Sequence, residues 1–144
     1  MMLNQTAPYA ALLLRIALGV MFIAHALLKI FVFTVPGTVQ FFESVGFPGA
    51  LAYLTIAAEL GGGALLLAGV YTRWVALATV PLLLGAAWVH LPNGWVFSAQ
   101  GGGWEYPVFL AVAAMVQFLL GDGAYALSVR RTAPPVLRTA DRLA

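Results

Sequence analysis

The sequence predicts an all-α membrane protein: a four-transmembrane-helix up-down bundle with a short interfacial half-helix between spans one and two. Three observations lead there. The 144 residues are 62% hydrophobic and only 8% charged, with a mean hydropathy of +0.95, whereas a soluble domain carries about a quarter charged residues. Such a chain could not cover its own surface with polar groups. The apolar runs approach the length of about 20 residues that a membrane span needs, and prolines, glycines and single charges punctuate them at span-length intervals.

The first span is expected from about Tyr9 to Phe33, with Pro8 at its start, where a missing N–H costs nothing. This run continues too far for a cleavable signal and is expected to be retained. After Pro36-Gly37 comes a short apolar segment, Thr38 to Phe47, with Phe41, Phe42, Val45 and Phe47. It is too short to span and is expected to lie in the interface as a half-helix. The second span, Ala50 to Val70, is rich in alanine and glycine, including Gly61-Gly62-Gly63. Small residues let helix backbones approach closely in lipid, so this glycine run is helix packing and not a phosphate loop. Tyr71-Thr72-Arg73 makes a short turn. The third span is expected from Trp74 to about Leu91, kinked at Pro81, and the fourth from near Trp104 to Leu120, stopped by Gly121-Asp122-Gly123. Between them lies a loop from Pro92 that ends in Gly101-Gly102-Gly103.

Orientation follows from basic residues. Four of the seven, Arg130, Arg131, Arg138 and Arg142, fall in the last fifteen positions, on the same side as the Arg73 turn. The positive-inside rule makes that side cytoplasmic. The expected organisation is a transmembrane domain over 1–127 and a basic cytoplasmic tail over 128–144, in the plasma (inner) membrane, with both termini cytoplasmic. A basic tail after a last span is a retention signal more often than a nucleic-acid site. There is no cysteine, which removes disulfides, thiol relays and thiolate metal sites.

Arg15, His25, Lys29, Glu59 and His90 sit inside otherwise apolar stretches. An ionised group in lipid costs roughly 3 kcal/mol on insertion scales, so such residues are usually paired, facing water or performing chemistry. Helical side chains lean toward their own N-terminus. His25 and Lys29, four apart on the outward-running first span, lean down into the membrane; Glu59, on the inward-running second span, leans up toward them. His90 leans down from the outer edge, and Glu105 stands at the start of the fourth span beside the loop with Asn93 and Trp104. Arg15 leans the other way, toward the inner headgroups, where it could anchor by snorkelling. The expected catalytic constellation is therefore Glu59, His25, Lys29 and His90, with Arg15, Asn93, Trp104 and Glu105 as substrate-binding candidates. The bland alternatives are a structural Lys29–Glu59 or Arg15–Glu59 ion pair that sets helix register while adding little stability, a His25 bonded to a neighbouring carbonyl, and a His90 that marks a loop boundary. No metal site is expected: no two candidate ligands are spaced i, i+3 or i, i+4, and Lys29 would repel a cation from His25.

These residues resemble a known family. Leu14-Arg15 through Gly19, then His25, Lys29 and Phe31, are similar to the first span of the DoxX family of small bacterial membrane proteins. Phe41-Phe42-Glu43 with Gly46-Phe47-Pro48 resembles its next segment, and Ala58-Glu59-Leu60-Gly61-Gly62 its second-span motif, with Thr72-Arg73 at the following turn. His90-Leu91-Pro92-Asn93-Gly94 and Gly102-Gly103-Trp104-Glu105-Tyr106-Pro107 resemble its third-loop signature. The resemblance implies a four-span inner-membrane fold. It also implies a link to redox systems, since the family is associated with a thiosulfate:quinone oxidoreductase subunit, quinone resistance, oxidative-stress complexes and operons for metal-associated peptides. The expectation that follows is a membrane component handling a quinone or another lipid-soluble molecule, oligomeric, in the lipid bilayer beside a partner oxidoreductase subunit, with electrons from a partner protein or from the substrate and no nucleic-acid partner. Glu59 would carry protons, His25 and His90 would link it to outside water, and Lys29 would hydrogen-bond a quinone oxygen. The rival expectations are a transport subunit gated at Pro81 and a non-catalytic scaffold whose tail docks a partner.

Overall fold

The computed structural model describes residues 3–127, which include no strand; the tail over 128–144 lies outside the described residues. Five α-helices form in order: α1 (Leu3–Leu27), α2 (Val35–Ser44), α3 (Ala50–Ala68), α4 (Thr72–His90) and α5 (Glu105–Leu120). A π-helical turn, Leu28–Val32, extends α1, and a 3-10 turn, Leu91–Asn93, extends α4. Three segments are long and apolar enough to cross a membrane: Thr6–Val32, Ala50–Ala68 and Thr72–Asn93. The fourth apolar helix, α5, has 16 residues, about 24 Å at 1.5 Å per residue, short of a ~30 Å hydrocarbon core.

The helix starts differ from expectation for physical reasons. Pro8 sits inside α1, which begins at Leu3; as the sixth helical residue it lies past the first turn and cannot donate the i→i−4 hydrogen bond of that position. The segment after the first span is helical from Val35, not Thr38, because Thr34 accepts a hydrogen bond from the Gly37 N–H at 3.2 Å and Pro36 occupies the first turn.

Each of α1, α3, α4 and α5 packs against two others, in the ring α1–α3–α4–α5. Partners run in opposite directions. Along α1 and α3, Arg15 meets Leu66 while Lys29 meets Glu59. Along α4 and α5, the Arg73 Nε–H donates to the Phe118 carbonyl near one end, where Trp74 also meets the Phe118 ring. Leu18, Phe22, Leu66, Ala76, Leu83, Leu110, Ala111 and Ala114 form the core inside the ring. Leu13, Leu54, Trp88, Phe109 and Leu119 point outward and are exposed. A polar outer surface would be required in water; this apolar one is what lipid solvates. The chain is a membrane protein.

The glycines set the α1–α3 approach. A Cβ on Gly63 would stand 2.9 Å from the Gly19 carbonyl oxygen and 2.7 Å from Ile23, and one on Gly19 would stand 2.9 Å from the Gly63 carbonyl. Gly62 faces Val75 and Thr79 on α4, and a Cβ on Gly61 would meet nothing within 4 Å. The glycine run therefore serves two helix contacts from one helix, as small residues do in membranes. The bundle has two distinct ends. The turn end carries Gly69–Tyr71 and residues 121–127; the loop end carries α2 and residues 94–103.

Candidate functional site: a polar centre at the loop end

Lys29 and Glu59 form a two-pronged ion pair, Nζ to Oε1 at 2.8 Å and to Oε2 at 2.9 Å. The Glu59 side chain is 5% exposed and that of Lys29 18%. Both carboxylate oxygens are thus charge-paired, the arrangement that makes a buried carboxylate tolerable. The close glycine crossing brings the two helices near enough, and the π-turn aims the lysine. In that turn the Phe33 N–H reaches back five residues to the Leu28 carbonyl at 2.9 Å. Such an inserted residue loosens the local ladder, and π-turns are frequent at functional sites. The buried Thr38 hydroxyl, from α2, makes contacts of 3.1 Å to the Lys29 carbonyl and 2.9 Å to the Thr34 carbonyl, fixing α2 against the turn.

His25 is the third member. Its Nδ1 lies 2.8 Å from the Met21 carbonyl oxygen. A carbonyl only accepts, so Nδ1 carries the proton and donates, leaving the Nε2 lone pair as the basic site of the neutral ring. The imidazole stands four residues before Lys29 on the same helical stretch. Its face packs near-parallel to the Tyr106 ring, 22° between planes and 6.2 Å between centroids. The four groups together offer a carboxylate, an ammonium, an imidazole and a phenol at the edge of an apolar bundle, a set able to hold, give and accept protons.

The remaining candidates stand elsewhere. Among the described residues no hydrogen bond or ion pair joins His90 to Lys29, Glu59 or His25. Its Nδ1 is buried without a partner, beneath Gly102, where an added Cβ would lie 3.5 Å from the ring. Asn93, Trp104 and Glu105 build the loop instead of meeting the pair. The Asn93 amide donates to the Gly101 and Gly102 carbonyls at 3.1 and 2.8 Å. Trp104 packs edge-on against Trp95 at 4.4 Å. A Glu105 carboxylate oxygen accepts the Phe97 N–H at 2.9 Å.

Arg15 belongs to the turn end, and it does not snorkel. It is 1% exposed. Its guanidinium donates to the Leu66 and Leu67 carbonyls, both at 3.4 Å, and to the Ala124 carbonyl at 3.0 Å. A Cβ on Gly69 would collide with it. The guanidinium thus occupies the negative end of α3, and the stretch after α5 closes over it, with the Ala124 N–H bonded to the Pro8 carbonyl and the Leu127 N–H to that of Ala68.

The sequence-based expectation left both Tyr106 and Thr38 out of the candidate site. The helical lean that paired Lys29 with Glu59 could have suggested Tyr106, which starts a helix at the same end; the Thr38 contact depends on a π-turn that no residue pattern announces. Two clefts elsewhere hold about 320 and 340 Å³. One is lined on α4 and α5 by residues such as Val80, Leu84, Val112 and Met115, the other by Ala7, Pro8, Leu120 and Gly123. Neither touches Glu59.

The sequence model of the DoxX family matches residues 10–91, more than half of the chain, including Arg15, His25, Lys29, Glu59 and His90. A Bacillus subtilis (strain 168) protein named "Putative oxidoreductase CatD" is 39% identical over 84 residues, 58% of this chain and 61% of that protein. The chain therefore spans about three-fifths of that relative's length. The inner membrane protein YqjF of Escherichia coli (strain K12) is 37% identical over 91 residues, 63% of this chain and 68% of its own. No solved structure matches. With its family match running through the whole paired-charge region, the chain belongs to the DoxX family.

Proposed function

We propose that this protein is a membrane component of a redox system and that its loop-end polar centre handles a quinone or a related lipid-soluble carbonyl compound. The observation that carries the reading is the buried Lys29–Glu59 pair with His25 and Tyr106 beside it. The name of the Bacillus subtilis relative supports it.

Reducing a quinone to a quinol takes two electrons and two protons. The Lys29 ammonium, turning from Glu59, would donate a hydrogen bond to one quinone oxygen. Glu59 and the Nε2 of His25, neither of which carries a transferable proton in the paired state, would each take one up from water by way of His90 at the loop end and pass it to the reduced oxygens. A partner oxidoreductase subunit would supply the electrons, since no cofactor motif is present in the sequence. Arg15 has no part in this scheme, because its guanidinium is engaged at the opposite end.

In this reading α1, α3, α4 and α5 are four spans running up and down, α2 lies in the outer interface, and the loop end faces outward. Arg73 at the turn end and the basic tail support cytoplasmic termini. The test is mass spectrometry of lipid-soluble molecules that co-purify with the detergent-solubilised protein, beside its Glu59→Gln variant. Wild-type protein should retain a quinone that the variant has lost. If neither carries one, and a short-chain quinone does not bind the wild type, the reading is wrong.

One observation favours a second reading. Both carboxylate oxygens of Glu59 are engaged, and the two clefts lie elsewhere. The pair would then be a register lock between α1 and α3, in a scaffold for a partner. Replacing both partners by apolar residues separates the two: a lock can be exchanged for packing, a proton carrier cannot.

A further inference from the structure

The interior of the bundle contains a second polar layer, at the turn end, that the polar centre does not use. Arg15 on α1, Thr72 on α4 and Gln117 on α5 are 1%, 0% and 0% exposed. Residues three or four apart on a helix stack on one face. Arg15 lies three before Leu18, Thr72 four before Ala76 and Gln117 three after Ala114, and those three residues belong to one core cluster. Each member of the polar trio therefore stands about one turn beyond that core on its own helix, on the side of the turn end. Leu66, also in that core, brings α3 to the same level through its carbonyl bond from Arg15.

Each member keeps one unsatisfied atom. Arg15 bonds through Nη1 and Nη2, yet its Nε–H, a donor, has no partner among the described residues. Gln117 donates through Nε2 to the Gly121 carbonyl at 2.8 Å, leaving its Oε1, an acceptor, unpartnered. The Thr72 hydroxyl, which can do both, is unpartnered too. A buried polar atom left without a hydrogen bond costs about 1–3 kcal/mol, more for a charged group. Three such atoms on three helices in one layer, with complementary donor and acceptor character, match what an internal water requires, namely two to four polar partners. Ala76 and Ala114 in the adjacent layer are small, so α4 and α5 place no bulky side chain over the site.

We propose that the bundle binds water internally at this layer, accepting from the Arg15 Nε–H, donating to the Gln117 Oε1 and exchanging a hydrogen bond with the Thr72 hydroxyl. The turn end is then closed by a cation held in a hydrated cage of backbone and side-chain oxygens. That differs in kind from the side-chain ion pair at the loop end.

Water-edited solid-state NMR on the full chain, arginine-labelled with nitrogen-15 and reconstituted in bilayers, tests this. The Arg15 signal is assigned by its disappearance in Arg15→Lys. Magnetisation from water should reach the Arg15 Nε–H within milliseconds, although the residue is sealed from bulk solvent. Thr72→Val and Gln117→Met should each reduce that transfer at least threefold, and two variants guard against one failing to fold. Absence of transfer to a visible Arg15 Nε–H would overturn the site, as would transfer unchanged in both variants.

Discussion

At the loop end a cation meets a carboxylate side chain to side chain, Lys29 on Glu59 at 2.8 and 2.9 Å. At the turn end Arg15 makes no salt bridge to a carboxylate among the described residues and is held by the carbonyls of Leu66, Leu67 and Ala124. The chemistry available to each end differs accordingly. Carbonyl oxygens do not take up protons, so the Arg15 cage can only tie α1 to the end of α3 and to the chain beyond α5. A carboxylate with an imidazole beside it can exchange a proton, and its partner is a flexible lysine with residual exposure. The same cost of burying charge is thus met once by architecture and once by a pair that chemistry could use.

The largest effects should come from removing one charge at each end, and they should differ in whether they can be rescued. Lys29→Met leaves Glu59 buried without its partner and should cost about 3–5 kcal/mol of stability in detergent unfolding. Adding Glu59→Met should restore most of it, because a buried pair exchanged for apolar residues is often neutral or stabilising. Arg15→Met should cost a similar amount, about 3–5 kcal/mol, and no single second substitution should restore it, since its partners are three backbone carbonyls. A rescue of Arg15→Met by changing Asp122, the acidic residue near enough to act on its charge, would erase the distinction.

Next in size is the helix approach that makes the pair possible. Gly63→Ala forces a Cβ against Gly19 and Ile23 and should destabilise by about 1–3 kcal/mol, as overpacking does. It should also weaken the Lys29–Glu59 contact. Gly61→Ala, two residues away with open space, should stay within about 0.5 kcal/mol of the parent, or gain slightly from helix propensity. Equal effects at the two positions would show that the crossing does not depend on glycine. The smallest effect belongs to the loop. Glu105→Ala removes the acceptor of the Phe97 N–H and should cost about 1 kcal/mol, visible as faster amide exchange over residues 94–103 with little change at the turn end.

Much of this was legible in the chain itself, and the misses have physical causes. Hydropathy outlines the long helices because lipid demands apolar runs. The N-terminal lean of helical side chains is enough to pair Lys29 with Glu59 in preference to Arg15. The destination of Arg15 was hidden because its partners are backbone carbonyls, which every residue has and no motif marks. His90 sits under Gly102, and Asn93 and Glu105 fasten the loop, because loop hydrogen bonds depend on turns that hydropathy does not encode. The π-turn shifts the face on which the residues after Leu27 lie, and an even 3.6-residue period cannot anticipate it. The alignment of Tyr106 with His25 depends on how α1 and α5 are rotated about their axes, which packing decides.

The most direct test of the loop-end centre uses the paired substitution Lys29→Met with Glu59→Met. Saturable binding of a short-chain quinone, read by quenching of tryptophan fluorescence in the folded double variant, should be lost while the double variant keeps most of the parent's stability. A double variant that binds the quinone as tightly as the parent would contradict the assignment and leave the pair as a lock between two helices.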